Sequence, residues 1–143
     1  MKFMLAVKGN AQSEAGALPT SEQLACMNGF NEELLKAGVL LDMSGLHPVS
    51  QSVRVKYQAG KRTVIDGPFA EAKEVIAGYW VIQVKSRDEA IEWAKRAPMD
   101  FGIPAGESAE VEIRQLYELD EFGENAGVDG ARELEKKLGA QKS

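Results

Sequence analysis

Most residues suited to chemistry in this 143-residue chain fall in one stretch, "VIDGPFAEAKEVIAGYW", residues 64–80. It begins and ends with strand-forming residues. Between them Asp66, Glu71, Lys73 and Glu74 crowd around one aromatic, Phe69. Asp66 is followed by Gly67 and Pro68, and a proline pushes the residue before it towards extended backbone. An Asp at such a point can cap the turn by accepting from backbone N–H groups two residues on. Buried instead in a cleft near Phe69, the same carboxylate would have its pKa raised and would suit general acid/base work. Lys73 lies between carboxylates. It reads as a group that binds an anionic ligand, orients Asp66 or bridges two chains. Glu71 and Glu74 read as surface charges. Phe69 reads as the apolar anchor of the turn and as a wall of any ligand site.

Five further residues bear on the same question. His47, the one histidine, precedes Pro48. It is either an ordinary loop residue or the group that exchanges protons near neutral pH. If the strand ending near Leu46 abuts the turn, His47 and Asp66 share a site. Arg54 and Arg114 occupy polar phases of their strands. Turned inward, such an Arg recognises carboxylate or phosphate; turned outward, it blunts a sheet edge. Tyr79 and Trp80 point to opposite faces of one strand, with Trp80 expected in the core and Tyr79 in the cleft. Asp66 and His47 are thus the candidate acid/base residues. Lys73, Arg54, Phe69 and Tyr79 are the candidate ligand contacts.

Other chemistries lack their residues. The single cysteine, Cys26, excludes an intramolecular disulfide and a cysteine-rich zinc site. It reads as a small apolar filler within a helix. One histidine leaves a metal centre short of donors, so neither a metal nor another cofactor is expected. The chain has no Gly-x-Ser-x-Gly, no phosphate loop and no Gly-x-Gly-x-x-Gly. The net charge of −5 argues against direct nucleic-acid binding, which needs Lys and Arg to neutralise phosphates. No apolar run approaches the roughly 20 residues that span a bilayer. The apolar core of "MKFMLAVKGN" is too short for a signal peptide, so a cytoplasmic location is expected.

The elements that must position these residues are legible from pattern. With 44% hydrophobic and 27% charged residues the chain has the composition of one globular domain. "KFMLAVK" (2–8) predicts a central strand, apolar on both faces. Residues 11–18 read as loop. Thr20 and Gln23 stand in capping-box spacing and open a helix over 20–37. Leu24, Met27, Phe30 and Leu34 form its stripe, and Gly38 closes it. A strand follows over 39–46. "SVRVKYQ" (52–58) and "KRTVID" (61–66) alternate around Ala59-Gly60 and predict a hairpin, with Val53, Val55 and Tyr57 on one face and Arg54 and Lys56 on the other. "GYWVIQV" (78–84) is the strongest strand. Ser86 and Glu89 form a second capping box before a helix with Ala90, Ile91, Ala94 and Ala97 inward, ended by Pro98. "AEVEIRQL" (109–116) predicts a last strand with Val111 and Ile113 inward. Residues 129–141 predict a helix with the narrow stripe Ala131, Leu134 and Leu138, suited to weak packing or to a partner subunit. The order is that of two split βαβ halves, a ferredoxin-like α+β fold with an antiparallel sheet and an extra hairpin. One domain is expected over residues 1–117, with a polar C-terminal extension at 118–143. An uncovered sheet face carrying aromatic residues calls for a second copy of the chain.

"DGPFAEAKE" (66–74) followed by "GYW" (78–80) resembles the signature of the DGPF family of YCII-related proteins. "MKFMLAV", "FNEELLKAGVLL" (30–41), "SVRV" (52–55) and "AIEWAKRAP" (90–98) match in order and spacing, so the resemblance covers about residues 1–116. It implies a homodimer in which two ferredoxin-like protomers form an α+β barrel. The family is largely uncharacterised. Polar residues gathered in the barrel cleft point to small-molecule binding and cofactor-free acid/base catalysis. Proximity of some members to extracytoplasmic-function sigma factors points instead to a non-catalytic regulatory module. Two departures stand out. Ala72 replaces the usual Thr, removing any role of that hydroxyl. The His of the catalytic pair proposed for the shorter YCII branch has no equivalent, so the candidacy of His47 rests on its own chemistry.

Overall fold

The computed structural model describes residues 1–69, 74–101 and 103–142. The first strand, β1 (Lys2–Lys8), occupies the predicted span. Helix α1 (Ala11–Glu14) is a single turn where loop was expected. Its signal is Asn10-x-x-Ser13: Ser13 N donates to Asn10 Oδ1 at 2.8 Å and Asn10 N donates to Ser13 Oγ at 2.9 Å. A serine stands where the usual capping box has Glu or Gln. Helix α2 (Ser21–Lys36) opens on the Thr20–Gln23 box as expected, and Gly38 takes a φ of 71° behind it. Strands β2 (Leu40–Gly45), β3 (Val53–Gln58), β4 (Lys61–Asp66) and β5 (Ile76–Gln83) follow, then α3 (Arg87–Arg96), β6 (Val111–Gln115) and α4 (Ala126–Lys142).

A four-stranded antiparallel sheet runs β2-β5-β1-β6, and β3 and β4 form a separate two-stranded sheet. Each crossover helix therefore joins strands separated by one antiparallel neighbour. This α+β arrangement is consistent with the ferredoxin-like expectation, with the hairpin inserted between β2 and β5. Within the hairpin Ala59 and Gly60 both have positive φ, 49° and 77°, the backbone twist that suits a two-residue connection.

The register decides the core. Phe3 lies opposite Ile82 and Leu5 opposite Trp80, so these four share a face of the sheet. Phe30 and Leu34 of α2 and Ala90 of α3 close over that face and are all buried. Phe30 meets Trp80 edge-on, with ring centroids 5.2 Å apart. The Trp80 indole Nε1 donates to Asn31 Oδ1 at 2.7 Å, which satisfies its one polar group. The α2 stripe is shorter than expected: Met27 packs against the core, but Leu24 is exposed because its turn lies beyond the sheet. The second capping box forms by half. Ser86 Oγ accepts from Glu89 N, while the Glu89 carboxylate reaches Lys85 N. Trp93 of α3 also packs on the core. Val111 and Ile113 of β6 face it as predicted.

The opposite face carries Met4, Ala6, Tyr79 and Val81; Ala6 is buried, while Met4, Tyr79 and Val81 are half-buried and stand outside this core. Helix α4 begins earlier than expected. It is tied to the preceding 3₁₀ turn (Leu119–Phe122) by Arg132, whose guanidinium lies 2.6 Å from Asp120 Oδ1. The Asp120 hydrogen bond raises the Arg132 pKa, against a small opposing effect of desolvation. Leu134 and Leu138 stay exposed. No helix among the described residues is long and apolar enough to cross a membrane. Leu34→Ala should lower stability by about 2–5 kcal/mol, since a fully buried leucine leaves both lost transfer energy and a cavity; urea unfolding at constant slope measures it.

Candidate functional site

An open cleft of about 500 Å³ lies where the end of β2, the start of β3 and the chain leading into β5 converge. Its wall comes from Leu46, His47, Val49, Arg54, Phe69, Glu74 and Ile76, among others. The convergence rests on a short chain of backbone contacts. Val49 N, opening the 3₁₀ turn Val49–Gln51, donates to the Glu14 carboxylate at 3.1 Å. The Val49 carbonyl accepts from Ser52 N at 3.0 Å and from Ser52 Oγ at 2.8 Å. Gly67 N donates to the Ser52 carbonyl at 2.8 Å. The end of the hairpin is thereby tied to the 49–51 turn and, through Glu14, to helix α1.

Gly67 explains itself at this point. A Cβ built on it would overlap the Val49 carbonyl oxygen. No side chain fits between the hairpin end and the 49–52 turn, so the residue between Asp66 and Pro68 is glycine. The Gly67–Pro68 peptide is cis. The chain then brings Phe69 under Arg54, whose guanidinium carbon lies 3.6 Å from the ring centroid. Such a stack is worth about 0.5–2 kcal/mol, the larger figure when shielded from water. It holds a cation in place on the cleft wall, and the guanidinium makes no ion pair among the described residues.

The structure brings together three of the six sequence candidates: His47, Arg54 and Phe69 line the cleft. Asp66 does not. It pairs with Val53 across the hairpin, and Arg54 pairs with Ile65, so the Asp66 and Arg54 side chains leave opposite faces of the ribbon. Asp66 is exposed, and its carboxylate makes no hydrogen bond or ion pair among the described residues. Within the single chain it is not buried, and no backbone N–H among the described residues bonds its carboxylate. Tyr79 lies on the sheet face turned away from the core, and its hydroxyl is 3.4 Å from Asp42 Oδ2. It is not part of the cleft lining. Lys73 lies outside the described residues, with Glu71 and Ala72. Arg114 is exposed on β6.

Sequence reasoning missed two participants. Lys8, half-buried at the end of β1, has its Nζ 3.7 Å from Glu74 Oε2 and 3.8 Å from Glu112 Oε1. Glu74 is thus a cleft-lining carboxylate with a cationic neighbour, not only a surface charge. No local pattern could show this, because Lys8, Glu74 and Glu112 come from three separate segments. Glu14 is the other, and its signal was the missed one-turn helix. No cluster of three or more metal-ligating side chains occurs among the described residues.

A family model of the YCII-related domain matches residues 1–119. An uncharacterised protein of Rhizobium meliloti (strain 1021) is 32% identical over 96 residues, which is 67% of this chain and 76% of the relative.

Gly67→Ala should cost about 1–3 kcal/mol, because the added methyl must push two backbone segments apart. Asp66→Asn beside it should stay within about 0.5 kcal/mol of wild type, as expected for an exposed group without partners. Paired chemical denaturation of the two variants checks both.

Proposed function

The chain belongs to the YCII-related domain family, and from that premise we propose that it binds a small organic anion in the cleft beside Phe69. The observation that carries this reading is the Arg54 guanidinium stacked on the Phe69 ring, 3.6 Å from its centroid. A cation already ordered against an aromatic plane loses little further freedom when it takes a carboxylate. Leu46, Val49, Val75 and Ile76 offer an apolar wall for the body of such a ligand. His47, the chain's one imidazole, lines the same cleft and is assigned to proton exchange with a bound ligand. Any acid/base step therefore runs through His47, since Asp66 leaves from the other face of the hairpin.

The reading includes a homodimer. Its support is the sheet face on which Met4, Tyr79 and Val81 are left half-buried outside the core. Two such faces set against each other would shelter these side chains without asking for a further helix.

Calorimetric titration with a panel of small mono- and dicarboxylates should find a ligand for the wild-type chain. Arg54→Ala should weaken it about tenfold or more, the share of one charge-assisted hydrogen bond. A ligand held equally well by Arg54→Ala would remove the anion site. For the dimer, sedimentation should give twice the chain mass for wild type and a monomer for Val81→Glu, which places a charge on that face. A wild-type chain that sediments as a monomer would overturn this second part.

A further inference from the structure

The hairpin and the C-terminal extension each expose an apolar patch, and the charges around the two patches are opposite. On the hairpin, register puts Val53, Val55, Val64 and Tyr57 on one face, with Asp66 opposite Val53 at one end as its single acidic group and every other charged residue of the ribbon basic. All four are open to solvent: Val53 is 58% exposed, Val64 66% and Tyr57 71%. A two-stranded ribbon of this kind is marginal by itself, and a bare apolar face on it is a surface awaiting cover. Basic residues border the patch. Arg62 lies on it, 5.4 Å from the Tyr57 ring centroid. Lys56 and Lys61 leave the reverse of the same thin ribbon, with stems long enough to reach its edges. None of these three cations makes an ion pair among the described residues.

After β6 the charges reverse. Tyr117, 77% exposed, and Phe122, 55% exposed, stack with ring centroids 5.1 Å apart. Glu118, Asp120, Glu121 and Glu124 flank this aromatic pair along the chain, and no Lys or Arg appears between Tyr117 and Asp129; Asp120 is paired with Arg132 and Glu118 with the N-terminal amine, which leaves Glu121 and Glu124 as the carboxylates without an ion pair among the described residues. Aromatic residues at the centre of an acidic rim are what an apolar patch with a basic rim accepts. Within one chain the two patches do not cover each other, since both remain exposed.

We infer that residues 117–124 of one copy dock on the Val53/Val55/Tyr57/Val64 face of the hairpin of a second copy. The contact is reciprocal, so a pair of chains satisfies two hairpins and two extensions at once. It gives the extension beyond the domain a role that the cleft does not need. It also stands whether or not the main sheets of two copies meet.

Zero-length carbodiimide cross-linking of an equal mixture of ¹⁵N-labelled and unlabelled full-length chain tests it. Cross-links from Lys56 or Lys61 to Glu118, Glu121 or Glu124 that carry one labelled and one unlabelled peptide are the expected result. Their absence, or links confined to one chain, overturns the inference. A charge swap gives the second arm. Lys56→Glu/Lys61→Glu/Arg62→Glu and Glu118→Lys/Glu124→Lys should each weaken self-association about tenfold or more, read as the dissociation constant by sedimentation, whatever the sheet faces contribute. Mixing the two should restore the wild-type constant, because each reversed hairpin then meets a reversed extension. A mixture that associates no more tightly than either variant alone overturns the inference. So does a wild-type hairpin that retards an RNA or DNA oligomer while no mixed-isotope cross-link forms, which would make a polyanion the occupant.

Discussion

Strands β1 and β5 lie side by side at the centre of the sheet, and the core depends on their antiparallel register. Leu5 opposite Trp80 and Phe3 opposite Ile82 present one continuous apolar face. A slip of one residue would carry Trp80 and Ile82 to the other side and leave α2 and α3 with nothing to cover. The register also fixes what the other side bears. Met4, Ala6, Tyr79 and Val81 follow by alternation once their neighbours are buried. A core on one face and an apolar residue set on the other are thus a single decision of strand pairing.

A second constraint is local and steric. The hairpin of β3 and β4 shares no ladder with the main sheet. What braces its end is the approach of Gly67 to the Val49–Ser52 turn, close enough that a methyl group would not fit, and the bond from Val49 N to Glu14 of α1. Through this point Glu14, the 3₁₀ turn and the hairpin end act as one frame. Arg54 and Phe69 sit on it as a preformed pair. The cleft is therefore built by backbone contacts, with few side chains spent on its shape. The ionisable side chains among its described lining residues are His47, Arg54 and Glu74. Charge is distributed with similar economy. The hairpin gathers cations in a chain whose net charge is −5, and the segment after β6 gathers carboxylates.

The legible parts of the sequence were those with a local cause. Thr20 and Gln23 announced the start of α2 because both groups of a capping box lie within one turn. The alternation in "SVRVKYQ" gave the hairpin faces, and register bore them out. Where the cause was distant, pattern fell short. Leu24 shares the periodicity of Phe30 and Leu34, yet it is exposed, because helical phase says nothing of where the sheet beneath ends. Ser13 was an unusual partner for a cap, so α1 read as loop.

The sequence by itself determined the elements, their order, the placing of Trp80 in the core and the concentration of unusual residues around Asp66. Each follows from spacing along the chain, which sequence records directly. Tertiary structure alone decided which of those residues meet. Asp66 and Arg54 are both at strand ends near Phe69, but cross-strand pairing sends their side chains to opposite faces. Lys8 joins Glu74 and Glu112 although chain distance separates them widely. Gly67 proved to be a matter of contact with Val49, not of turn propensity. Proximity across segments is set by register and packing, and neither is a property of any one segment.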